Sequence, residues 1–188
     1  MNLAMANFLG ICMAMATVKD FMTGKIPNLL SFPMMVFGII YHSVISGWGG
    51  LGFSLGGMFM GIMFFLIPYA MGGMGAGDAK LMGGVGAFLG FKGVLIAAFL
   101  AVLFGLVYAI ILLAIYPDFA RDMFSRWGNI IKIFFLTGRF IFIPPEKNQK
   151  QPVLRFALPI ALGTIFYAYL KITDSTLIQD LLGIQFSI

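Results

Sequence analysis

Residues 93 to 116 read GVLIAAFLAVLFGLVYAIILLAIY, without one charged side chain. A run of that length and composition is long enough to cross a bilayer. In lipid its peptide groups must satisfy one another, as they do within an α-helix. The rest of the chain follows suit: 61% of its 188 residues are hydrophobic and 10% are charged, with a mean hydropathy of +1.00. Six apolar segments can be drawn, at about 2–19, 29–46, 51–71, 79–91, 93–116 and 153–170. The expectation is an all-α polytopic membrane protein of about six transmembrane helices. It forms a single transmembrane domain over 1–188, with no room for a separate soluble domain. The fourth segment is short for a full crossing and is expected to be tilted, or to start below the surface behind a re-entrant loop.

Lysine and arginine distribution orients these spans. With the N-terminus outside, ten of the twelve basic residues fall on the inner side and only Lys92 and Lys171 on the outer, which is the bias expected of cytoplasmic loops. The net charge of +5 is therefore read as topology and attraction to anionic membrane lipid. No basic patch interleaved with aromatics is present that would suit nucleic acid. Cys12 is the only cysteine, so neither a disulfide within the chain nor a CxxC-type metal site can form. Ala14-Met15-Ala16 has the look of a signal-peptidase site, but no basic residue precedes it, so this stretch is expected to be a permanent first span.

The connection at 117–152 mixes charges with IIKIFFLTGRFIFIPP. Lys132 and Arg139 are seven residues apart and would share one helical face, as suits a segment in the cytoplasmic interface, while Gly138, Pro144 and Pro145 argue against a seventh continuous span. Gly52, Gly56, Gly57 and Gly61, with Gly86 and Gly90, have the small-xxx-small spacing of close helix packing.

Against this background two acids stand out. Asp20 ends the first apolar segment and Asp78, within GGMGAGDAKLMGG, begins the fourth. In the assigned topology both lie at the cytoplasmic rim of the bilayer, on different helices. Ionisable groups there are costly enough to raise a functional hypothesis, the plainer reading being interfacial anchors paired with Lys19, Lys25 or Lys80. Gly75-Ala76-Gly77 before Asp78 permits an unwound turn and the approach of an extended backbone. After Asp20, Thr23 and Gly24 are expected to end the first helix and Pro27 to open the second within its first turn. Two carboxylates held close share a proton. One can then take a proton from an attacking water while the other hydrogen-bonds the carbonyl under attack, and no metal or cofactor is needed. Lys80 reads as an interface anchor and Asn28 as a helix cap. His42, alone toward the outer end of the second span, is not expected to be a ligand or a base.

Asp20 with Ile26-Pro27-Asn28, and Gly75-Ala76-Gly77-Asp78 with Ala79-Lys80-Leu81, separated by two spans, resemble the type IV prepilin peptidase family, membrane aspartyl proteases with a GxGD motif. The stretch RFALPIALGT at 155–164 is similar to that family's last span. The resemblance implies Asp20 and Asp78 as the catalytic pair, with Gly75, Gly77, Lys80, Pro27 and Asn28 in support. It implies as substrates prepilins or pilin-like precursors, cut at the cytoplasmic face between a short basic leader and an apolar helix, and as location a bacterial inner membrane. Larger members carry paired CxxC zinc motifs between the first two spans and also methylate the new N-terminus. Here only about residues 21–28 fill that link, so the resemblance carries the peptidase and not the methyl transfer. The compact form is similar to peptidases of tight-adherence (Flp-type) pilus systems. The alternatives are a preflagellin peptidase of archaeal type or another GxGD intramembrane protease and, outside the proteases, a small ion-coupled transporter or a non-catalytic assembly subunit.

Overall fold

A computed structural model describes residues 3–70, 74–138 and 155–172. Among them every regular element is an α-helix: α1 (Leu3–Thr23), α2 (Asn28–Ala70), α3 (Ala76–Ile115), α4 (Pro117–Thr137) and α5 (Ala157–Ile172). The chain is an all-α membrane protein, in which α1, α2 and α3 are long and apolar enough to cross a bilayer. Large apolar side chains such as Ile11, Val44, Ile67 and Ile110 point outward from them, as lipid-facing surfaces do.

The helix ends follow from local chemistry. At the end of α1, Thr23 Oγ1 donates back to the carbonyl of Lys19 at 2.8 Å, and Gly24, at φ 66°, donates its N–H to the carbonyl of Asp20 at 2.8 Å. This is the left-handed glycine stop that closes many helices. Only Gly24 to Pro27 separate α1 from α2. The carbonyl of Pro27 accepts from the N–H groups of Leu30 and Ser31, at 3.0 and 3.5 Å, so Pro27 is the residue preceding the first helical turn. The expectation that Pro27 lies inside that turn, with Asn28 as a cap, is corrected by one position.

Two long helices are each broken at a glycine. In α2 the backbone leaves helical geometry at Gly47 (φ 57°, ψ −136°), and in α3 at Gly90 (φ 71°, ψ −178°). Both are left-handed conformations that favour glycine. The first break lies in the gap expected between 46 and 51. The second lies at the end of the expected 79–91 segment, two residues before Lys92.

The chain forms two compact units. The first comprises Met1–Gly105 with Arg155–Ile188. Its core gathers Leu9, Met13, Leu81, Met82, Val85 and Ile160, all nearly solvent-free. Within it α1 packs along α5, while α2 and α3 approach through glycines. A Cβ on Gly57 would overlap the carbonyl of Gly86, one on Gly86 the carbonyl of Gly57, and one on Gly61 the carbonyl of Met82. Gly52 and Gly56 have open space instead, so only part of the expected glycine stripe is packing surface. At Gly90 a Cβ would strike the ring of Phe53.

Polar side chains of α2 meet the break in α3. Ser54 Oγ donates to the carbonyl of Ala87 at 2.6 Å, and His42 Nε2 bonds the carbonyl of Phe88 at 3.0 Å. A helix broken at Gly90 leaves carbonyls in the preceding turn short of well-placed helical donors, and in lipid these cannot turn to water. Because a carbonyl only accepts, His42 carries its proton on Nε2. In this structure the imidazole bonds that carbonyl and packs on the ring of Phe53.

The second unit, Leu106–Leu154, contains the end of α3 and all of α4. Pro117 opens α4, where its missing N–H costs nothing. Gly138, at φ 66°, follows its last residue. Arg139, Pro144 and Pro145 lie outside the described residues, as do 71 and 153–154 at the ends of two expected spans.

Candidate active site

Asp20 lies in the last turn of α1 and Asp78 in the first turn of α3. Although both sit at helix ends, they are buried, at 7% and 8% exposure. Solvated anchor carboxylates would be far more open. Asp20 is also close enough to Asp78 for their carboxylates to interact electrostatically.

The glycines before Asp78 explain its orientation. Gly75 precedes the first turn of α3, and its N–H donates to Asp78 Oδ2 at 3.2 Å, while the Asp78 N–H donates to the Gly75 carbonyl at 3.1 Å. An acid in the third helical position thus reaches back to the N–H of the capping residue, which is half of a capping box. It also sets negative charge at the positive end of the helix dipole. One tight turn therefore closes the helix and fixes the carboxylate. Gly77 serves differently. A Cβ there would come within 3.1 Å of the Cβ of Ile26, so the α1–α2 link lies directly against the start of α3. The absence of a side chain at 77 admits it.

A second contact joins the two segments. Lys80 Nζ donates to Asn28 Oδ1 at 3.0 Å and stands 5.5 Å from the ring centre of Phe32. Among the described residues no ion pair links Lys80 to either aspartate. Asn28, expected as a cap, is instead the partner of this lysine, because Pro27 has already supplied the carbonyl that starts α2. From Asn28 a groove of about 580 Å³ runs along the outer face of α2, lined by Leu29, Phe32, Pro33, Val36 and Phe37.

Arg155, just before α5, was visible in the sequence only as a basic residue ahead of an apolar run. In the structure Arg155 Nη1 donates to the main-chain carbonyl of Asp20, and its guanidinium lies 5.4 Å from the ring centre of Phe21. A separation of 135 positions puts such a contact beyond any local pattern. Among the described residues no group of three or more His, Cys, Asp or Glu side chains gathers as a metal site would require.

The expected site residues thus occupy one neighbourhood: Asp20 and Asp78 as buried acids, Gly75 and Gly77 shaping the turn, Pro27 starting α2, and Asn28 with Lys80 tying α2 to α3. Chemically, such an arrangement offers two carboxyl groups of different surroundings near a short, slim stretch of backbone. A family model described as the type IV leader peptidase family matches residues 7–110, which include all seven of these positions but not Arg155 or α5. No curated protein and no solved structure matches the chain.

Proposed function

As the chain belongs to the type IV leader peptidase family, we propose that it is an aspartic endopeptidase in which Asp20 and Asp78 form the catalytic pair. The observation that carries this reading is the burial of two acids from different helices within electrostatic reach of each other. In this reading the pair works with one proton between its two carboxyl groups, since two adjacent negative charges repel. The ionised member takes a proton from a water as that water attacks the scissile carbonyl, and the protonated member hydrogen-bonds the carbonyl oxygen as it gains charge. When the tetrahedral intermediate collapses, the proton on the carboxyl pair passes to the departing amine and the free acid is released. The bond from Gly75 holds the Asp78 carboxylate still while this happens.

The substrate is a prepilin or pilin-like precursor, cut between a short basic leader and the apolar helix behind it. The cut falls at the cytoplasmic face of an inner membrane, with the N-terminus of the chain outside. Support for that orientation comes from the ten-to-two distribution of basic residues. Both acids then sit on the side where the leader is exposed.

Co-expression with a pilin-like precursor tests the reading. Asp20→Ala, Asp78→Ala and the corresponding Asn variants should each lower leader removal by roughly 10²–10⁴-fold or more, the range attached to a positioned acid or base. Normal processing by either alanine variant rules out the pair. Mapping the cut should place it at the leader boundary; a cut inside the apolar helix would rule out that substrate reading.

A further inference from the structure

We infer that Arg155 is a positioning residue for Asp20, holding the end of α1 in the register that keeps this buried acid within electrostatic reach of Asp78. The inference rests on the catalytic reading of the two aspartates and adds a residue outside the matched segment 7–110.

Asp78 is oriented within its own turn by Gly75, but among the described residues no comparable bond holds the Asp20 carboxylate. The side-chain bonds near the end of α1 are those of Thr23 to the carbonyls of Lys19 and Lys25, and they tie down the chain after Asp20 without touching its carboxylate. The placement of Asp20 therefore depends on where the last turn of α1 lies. That turn is located from outside. Arg155 Nη1 donates to the Asp20 carbonyl, which also receives the Gly24 N–H at 2.8 Å, and the guanidinium covers the ring of the adjacent Phe21. One planar side chain thus grips two consecutive residues, one through the main chain and one through an aromatic face.

The setting favours the grip. Carbonyls at a helix C-terminus carry partial negative charge, so a cation is stabilised there. Arg155 is itself anchored at the start of α5, where Phe156 meets Phe65 at 6.0 Å between ring centres and fills the space beside Gly105. Since α1 packs along α5, the two aspartates are set by independent devices: a capping turn for Asp78, and a bond from a distant helix for Asp20. Lysine has one ammonium in place of a planar fork, so it can reproduce the bond to the carbonyl but not the stacking on Phe21.

The experiment measures kcat and KM of the full chain in lipid nanodiscs on a precursor peptide. Rates are normalised to the folded fraction, and wild type is compared with Arg155→Lys, Arg155→Gln and Arg155→Ala. A shift of about 1 Å in a reacting group costs on the order of a hundredfold. Arg155→Ala and Arg155→Gln are therefore expected to lower kcat by about 10- to 100-fold with KM within about twofold, and Arg155→Lys to recover part of the loss. Added guanidinium ion should raise the rate of the alanine variant. Unchanged kcat per folded molecule would overturn the inference, as would a rise in KM alone, which would make Arg155 a substrate contact. If Arg155→Ala does not fold, the Lys-to-Gln comparison decides, equal rates overturning it. Asp20→Ala and Asp78→Ala are run alongside. Activity retained by those variants defeats the catalytic reading itself, whereas their inactivity beside a fully active Arg155→Gln defeats the positioning role alone.

Discussion

Lys80 donates to Asn28 across the α2–α3 boundary at 3.0 Å, and this bond links the two segments that flank the buried aspartates. Asn28 begins α2 four residues past Gly24, and Lys80 lies two residues past Asp78. The pair closes a short circuit: α1 ends at Gly24, the link crosses Gly77, and α2 is tied back to α3 by a charge-assisted bond. Gly77 and the Lys80–Asn28 bond therefore act on the same geometry from two sides, and each can be perturbed separately.

The Lys80–Asn28 bond lies in an exposed position, so its worth is modest. Lys80→Ala and Asn28→Ala should each lower stability slightly, and the double variant should cost less than their sum by about 0.5–1 kcal/mol, the net value of one such bond. Reversible unfolding in mixed micelles measures the cycle. Strict additivity would show that the bond contributes nothing.

At the turn before Asp78, Gly75 and Gly77 should respond differently to the same change. A Cβ on Gly75 meets Asp78 Oδ2 at 3.4 Å, an ordinary contact, whereas one on Gly77 meets Ile26 at 3.1 Å. Gly77→Ala should therefore slow leader removal more than Gly75→Ala. Adding Ile26→Gly to Gly77→Ala should restore part of any loss by removing the Cβ that the new methyl meets. Processing assays on the single and paired variants decide this, and equal effects at 75 and 77 would contradict it.

Much of this arrangement could be read from the chain and some could not, for identifiable reasons. Thr23, Gly24 and Gly138 announce helix ends because their chemistry is local. The breaks at Gly47 and Gly90 lie at or near limits drawn from apolar runs, since glycine is where a left-handed backbone is cheapest. Spacing could not tell Gly57 and Gly61, pressed on α3, from Gly52 and Gly56, which face open space. All four recur at helical intervals, and only the neighbouring helix selects a face. The role of Asn28 was misread because residue type favours a cap while the position was already taken by the Pro27 carbonyl. Arg155 was legible only as the basic residue that opens RFALPIALGT, and its contact with Asp20, 135 positions away, left no local signal.

The glycine stripe itself gives a contrast within one helix. Gly57→Ala would force a methyl into the backbone of Gly86, where no flexible side chain can yield. A loss of at least 1–3 kcal/mol, the usual cost of overpacking, or failure to fold is expected. Gly56→Ala enters open space and should be neutral or stabilising by up to about 1 kcal/mol through helix propensity. Thermal unfolding of the two variants in the same lipid would separate packing from propensity, and similar melting temperatures would refute the close contact.

His42 offers the last test, since a lone histidine in a membrane protease invites a catalytic reading that its surroundings do not support. Its Nε2 is bonded to the carbonyl of Phe88, and its ring meets Tyr41 and Phe53 at 5.2 and 4.8 Å between centres. Phe53 in turn lies where a Cβ on Gly90 would have to go. His42 therefore supports the break in α3 by satisfying a carbonyl and by packing the ring that fills the gap. His42→Phe keeps most of the packing but leaves the Phe88 carbonyl short of a donor. It should cost about 0.6–1.7 kcal/mol, the span of measured polar bonds between membrane helices. His42→Gln, which retains a donor at similar reach, should cost less. Per folded molecule, both variants should process precursor at the wild-type rate, because no step of the proposed chemistry passes through the imidazole. Loss of turnover with stability intact would instead place His42 in the reaction.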